Sequence, residues 1–136
     1  MCDMKTLKAG IAAGVAMLIV YFVVNMIVMA VAPYDVLSLG GMRSATDPLM
    51  MLFFLHPFVL GLVFAHAYGY VGKSLKGRPV EKGREYGILM WLVYTVPSAF
   101  VVLTSMNYPT VFVIQQVAGG WVMMLFGGMV IAKMSK

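Results

Sequence analysis

The sequence predicts an all-α membrane protein, four transmembrane helices packed in one bundle, and three observations carry that prediction. Hydrophobic residues make up 62% of the 136 positions and charged residues only 11%, against roughly 25% charged in an ordinary soluble domain. The apolar residues gather into four runs, each long enough to cross a hydrocarbon core that takes about 20 helical residues. The remaining charges fall almost entirely at the ends of those runs. The length allows a single domain, 1–136. A mean hydropathy of +0.91 excludes a soluble globular enzyme and a disordered chain. The lone cysteine, Cys2, excludes a disulfide scaffold and a CxxC redox or zinc pair, and reads as an incidental thiol.

The first span covers about 8–32 and carries no charge after Lys8. It is too long for a signal h-region and lacks a small-residue cleavage site, so it reads as a true span. The second covers about 48–72 and opens with Asp47-Pro48, an N-cap carboxylate followed by proline at the first helical position. The third covers about 84–105. The fourth covers about 109–132 and again starts at a proline, Pro109.

Orientation follows from the basic residues. Lys5, Lys8, Lys73, Lys76, Arg78, Lys82, Arg84, Lys133 and Lys136 fall on one side of the spans, and Arg43 alone falls on the other, with Asp35 and Asp47. Both termini and the loop Lys73–Glu85 are therefore expected in the cytoplasm, with an anionic lipid surface as the partner of the +5 net charge. The expected location is a prokaryotic plasma membrane. No basic face is clustered as nucleic acid would require.

Helices one and three share a stripe. Gly10, Gly14, Met17, Tyr21 and Asn25 match Gly83, Gly87, Met90, Tyr94 and Ser98 at a constant offset of 73 positions, all on one helical face. Duplication of a hairpin would give halves 1–72 and 83–136 related by an axis along the membrane normal. Chance explains the match as well, because the second helices align poorly beyond Pro48 and Pro109. Either way, the GxxxG pairs Gly10/Gly14 and Gly83/Gly87 permit close helix approach. Gly61, Ala65, Gly69 and Gly72 make a similar stripe on the second helix, and Gly119, Gly120, Gly127 and Gly128 on the fourth. Trp91 and Trp121 read as packing residues.

No Asp, Glu, Lys or Arg lies mid-span, which argues against a carboxylate-driven proton antiporter and a voltage sensor. Uncharged polar residues instead fall at one depth. Asn25, His56, Ser98, Gln115 and Gln116 all lie ~9 to 12 Å below the outer helix ends, counting 1.5 Å per residue. Pro57 and Pro97 lie beside them and free backbone carbonyls. In one reading these side chains bond to each other and lock the bundle. In the other they line an outward-open pocket, with His56 as the group best able to bind or titrate. The outer loop Pro33–Asp47, which includes Leu37, Leu39 and Met42, either caps that layer or lies along the interface. His56 and His66 are ~15 Å apart along one helix, too far to share a metal. No cofactor, metal or catalytic constellation is expected. The topology resembles that of small four-helix membrane proteins such as fluoride channels and small multidrug transporters, whose defining residues are not matched. The leading expectation is a non-enzymatic assembly or accessory subunit, in a homo-oligomer or a larger complex. The alternative is a homo-oligomeric small channel, transporter or ligand-binding protein that uses the polar layer.

Overall fold

The computed structural model describes residues 3–35, 37–38 and 40–135, so Cys2, Leu39 and Lys136 fall outside the described residues. All regular structure among them is helical. The elements are α1 (Met4–Val31), a 3-10 segment (Pro48–Leu55) running directly into α2 (His56–Val71), α3 (Pro79–Met90), a π turn (Trp91–Thr95) leading into α4 (Val96–Ser105), and α5 (Thr110–Met134). They make four helices long and apolar enough to cross a membrane: Met4–Val31, Pro48–Val71, Pro79–Ser105 and Thr110–Met134.

Local chemistry sets the ends. Asp3 caps α1 by accepting from the Thr6 amide at 2.8 Å. Pro33 ends the helix, because the residue before a proline is driven out of the α region; Ala32 has φ −143°. Asp47 accepts from the Leu49 amide at 2.9 Å and Pro48 opens the 3-10 segment. The third span starts at Pro79 rather than near Arg84, which shortens the expected inner loop. Glu81 is its capping carboxylate: it accepts from the Arg78 backbone amide at 2.8 Å and pairs with the Arg78 guanidinium at 2.9 Å. Gly77 takes φ +99° just before this start, a conformation that suits glycine.

Glycines decide how the helices cross. A Cβ on Gly61 would collide with the Gly10 carbonyl oxygen and come 2.8 Å from the Gly14 nitrogen. A Cβ on Gly128 would collide with the Gly83 carbonyl oxygen and come 2.9 Å from the Gly87 nitrogen. The α1–α2 and α3–α5 crossings thus have the same atoms in the same places. The first helices correspond at an offset of 73, but the second helices at 67, from Gly61 to Gly128. Aligning Pro48 on Pro109 is therefore the wrong register, which is why the second helices matched poorly in sequence. Burial follows the contact register: Pro57, Leu60, Gly61, Phe64 and Ala65 are buried in α2, and Met124, Gly127, Gly128, Ile131 and Ala132 in α5.

Helix α5 is central. Gly119 and Gly127 admit Val24 and Met17 of α1, while Gly120 and Gly128 admit Thr95 and the Gly83–Gly87 backbone on the other side. Helices α2 and α3 meet through larger groups. The buried Tyr86 hydroxyl donates to the Phe64 carbonyl at 2.7 Å, and its ring stands edge-on to Tyr68 at 5.0 Å. The core therefore sits at the end of the bundle where α1 begins and α5 finishes. The opposite end is open: the 3-10 segment has no buried residue, α4 has only Ala99, and the first half of α5 has only Val113.

Candidate functional site

The residues expected to form one polar layer separate into three pairs. Gln115 of α5 donates through Nε2 to Asn25 Oδ1 of α1 at 3.3 Å, and its Oε1 accepts from the Tyr34 hydroxyl. Gln116, the next residue, donates to Ser98 Oγ of α4 at 3.0 Å. Consecutive helical residues diverge by about 100°, so the two glutamines serve different neighbours. His56 bonds to neither. Its Nε2 lies 2.9 Å from the Tyr94 hydroxyl.

Sequence reasoning missed two of these partners. Tyr94 lies four residues before Ser98, on the same helical face, and that spacing was the available signal. Tyr34 lies just beyond the end of α1 and reaches back to Gln115. Gln116 Oε1 is buried and accepts no hydrogen bond from the described residues.

The backbone around the pairs is irregular for identifiable reasons. Pro97 has no N–H and its ring crowds the carbonyl one turn earlier. The helix widens just before it, and the Val96 amide donates back five residues to the Trp91 carbonyl. Trp91 Nε1 then donates across to the Val117 carbonyl of α5 at 2.9 Å, anchoring the widened turn. On α2 the junction between 3-10 and α geometry falls at His56, directly before Pro57. Phe53 stacks on the His56 ring at 6.4 Å and stands edge-on to Tyr21 at 5.9 Å. The His56–Tyr94 pair therefore lies at the side of the bundle within aromatic surroundings, and both residues are exposed.

Several expectations need correction. Gly69 does not pack: a Cβ there would meet nothing within 4 Å. Gly72 is covered by the ring of Tyr68 in its own helix rather than by a neighbouring helix. Trp121 is 45% exposed and is not a packing residue. Gly10, Gly14, Gly61, Ala65, Gly83 and Gly87 are buried. The 33–47 loop is tied to α5 through Tyr34, and to the turn before α5 through Tyr108, whose hydroxyl donates to Met42 Sδ at 3.5 Å. A cleft of about 520 Å³ separates Gly40 and Gly41 from the 105–108 turn. Arg43 pairs with Asp47 at 2.8 Å. His66 bonds Tyr70 at 3.3 Å, on the opposite stretch of α2 from His56. Among the described residues no three of His, Cys, Asp and Glu come together. No family model, curated protein or solved structure matches the chain.

Proposed function

We propose that this chain is a small integral membrane subunit, built from a repeated helical hairpin, that works by association with other protein rather than by chemistry. The carrying observation is the His56–Tyr94 pair. It joins α2 to the π turn, yet both residues stand exposed on the side of the open end. In hydrocarbon, polar groups on a bundle's flank are costly, and such groups usually face protein. A neighbouring subunit, either a second copy or a different chain, removes that cost. The other two pairs support the same reading, because they bond within the bundle and act as a lock. The repeat rests on the matched crossings of Gly61 on Gly10/Gly14 and Gly128 on Gly83/Gly87. In the proposed orientation both termini and the lysine-rich end face the cytoplasm of a prokaryotic cell.

The experiment is native mass spectrometry after gentle extraction, combined with a photo-crosslinking residue at Phe53, which stacks on His56. A self-adduct or a stoichiometric foreign subunit crosslinked at Phe53 is the expected result. A monomer whose Phe53 probe captures only lipid overturns the reading. One observation favours the alternative, a channel, transporter or ligand-binding protein: the buried, unbonded Gln116 Oε1. Solute flux into liposomes that is lost on substituting Gln116, Asn25 or His56 would establish it instead.

A further inference from the structure

We propose that the basin at the lysine-rich end of the bundle binds a phosphate-bearing anion. The start of α1, the end of α2, the start of α3 and the end of α5 enclose about 490 Å³ there. Lys5, Lys73 and Lys82 stand on its rim together with Asp3. The Asp3 carboxylate is occupied by its own helix: Oδ1 accepts from both the Thr6 amide and the Thr6 hydroxyl at 2.8 Å. Among the described residues Lys82 Nζ hydrogen-bonds only to the Gly72 carbonyl, at 3.5 Å. Lys73 makes no hydrogen bond or ion pair among the described residues. Tyr68 forms the wall, and its hydroxyl has no protein partner among them.

Among the described residues the rim carries three ammonium groups against the single Asp3 carboxylate, and this excess of positive charge, beside a neutral hydroxyl donor, suits a compact oxyanion. Lysine binds phosphate as a point charge and demands no planar fork geometry. The apolar lining of Ala65, Gly69 and Ala132 accommodates an organic substituent on that phosphate. Gly69 has a specific consequence here. With nothing within 4 Å of its Cβ position, it leaves part of the basin empty without contributing to any helix contact. A lipid headgroup and a soluble phosphate ester share this chemistry. The lipid source rests on the membrane reading above, which puts the basin at the level of cytoplasmic-leaflet phosphates. The anion site itself does not rest on that reading.

The test uses the full chain in neutral detergent. It is mixed separately with dioleoyl phosphatidylglycerol, dioleoyl phosphatidylcholine and inorganic phosphate, and bound molecules are counted by native mass spectrometry. Phosphatidylglycerol should be retained over phosphatidylcholine. Each of Lys73→Gln and Lys82→Gln should weaken retention roughly fivefold, and the double variant about 25-fold. Gly69→Leu should weaken retention without lowering helicity or thermal stability, since the residue lines the basin and no atom lies within 4 Å of its Cβ position. Inorganic phosphate binding with the same lysine dependence, without lipid binding, supports the site and assigns a soluble ligand. Equal retention of the two lipids with no phosphate binding overturns the proposal. So does phosphatidylglycerol binding that is indifferent to all three substitutions. A chain that stays monodisperse without detergent would overturn the membrane reading alone, and the phosphate arm would still decide the basin.

Discussion

Gln115 satisfies two neighbours at once, Asn25 and Tyr34, so its removal leaves an amide and a hydroxyl without their partner. Interhelical hydrogen bonds in membranes contribute roughly 0.6 to 2 kcal/mol each. Gln115→Leu should therefore lower stability by about 1 to 3 kcal/mol in a reversible detergent-unfolding assay. Ser98→Ala should cost less, because it removes one such hydrogen bond where Gln115→Leu removes two. Outside the spans, Asp47 is held below the ordinary carboxylate pKa, first by its hydrogen bond from Arg43 and then by the Leu49 amide. A depressed folded-state value means the cap is fully effective above the unfolded carboxylate range and fails as pH falls through the folded value, below 3.8. Hydrogen exchange at Leu49 should accelerate in that acid window, and Asp47→Asn should remove the pH dependence.

At the scale of elements, α5 and its glycines organise the molecule. A methyl group on Gly61 or Gly128 strikes backbone, which cannot rotate away. Gly61→Ala and Gly128→Ala should each destabilise by about 1 to 3 kcal/mol, the usual range for overpacking. Gly69→Ala meets open space and should be neutral or stabilise by up to ~1 kcal/mol through helix propensity. One unfolding series compares all three, and equal costs at the three sites would refute the crossing geometry. All three glycines were legible as small-residue stripe members. Which of them touch a neighbour was not, because a stripe on one helix does not specify how far along it the partner crosses.

For the whole molecule, one end is closed by glycine crossings and the other is splayed around the 3-10 segment and α4. The closed end carries the lysine rim and the open end carries Arg43 and the His56–Tyr94 flank. In a Cys2→Ser background, Ser44→Cys should react with an impermeant thiol reagent in intact cells, while Ser74→Cys should react only after lysis. The opposite pattern would invert the proposed orientation. His56→Ala should change the stability of the isolated chain by less than about 1 kcal/mol, yet reduce the associated fraction seen by native mass spectrometry. A large loss of stability with association intact would make the pair an internal lock instead.

Hydrophobic run length, the starts at Asp47-Pro48 and Pro109, and the placement of basic residues belong to the chain's local order, and they determined four apolar helices with their approximate ends, except at the start of the third, where Arg78-Pro79 was not read from the sequence. Local signals also set a common expected depth for Asn25, His56, Ser98, Gln115 and Gln116, since rise per residue is constant along a helix. Pairing was a tertiary decision. Equal depth does not say which faces meet, and the 100° step between Gln115 and Gln116 sends them to different helices. The register of the second helices was likewise invisible, because two prolines suggested one alignment and the Gly61–Gly10 and Gly128–Gly83 contacts impose another. The lysine basin gathers residues from both ends of the chain, and only packing brings those ends together.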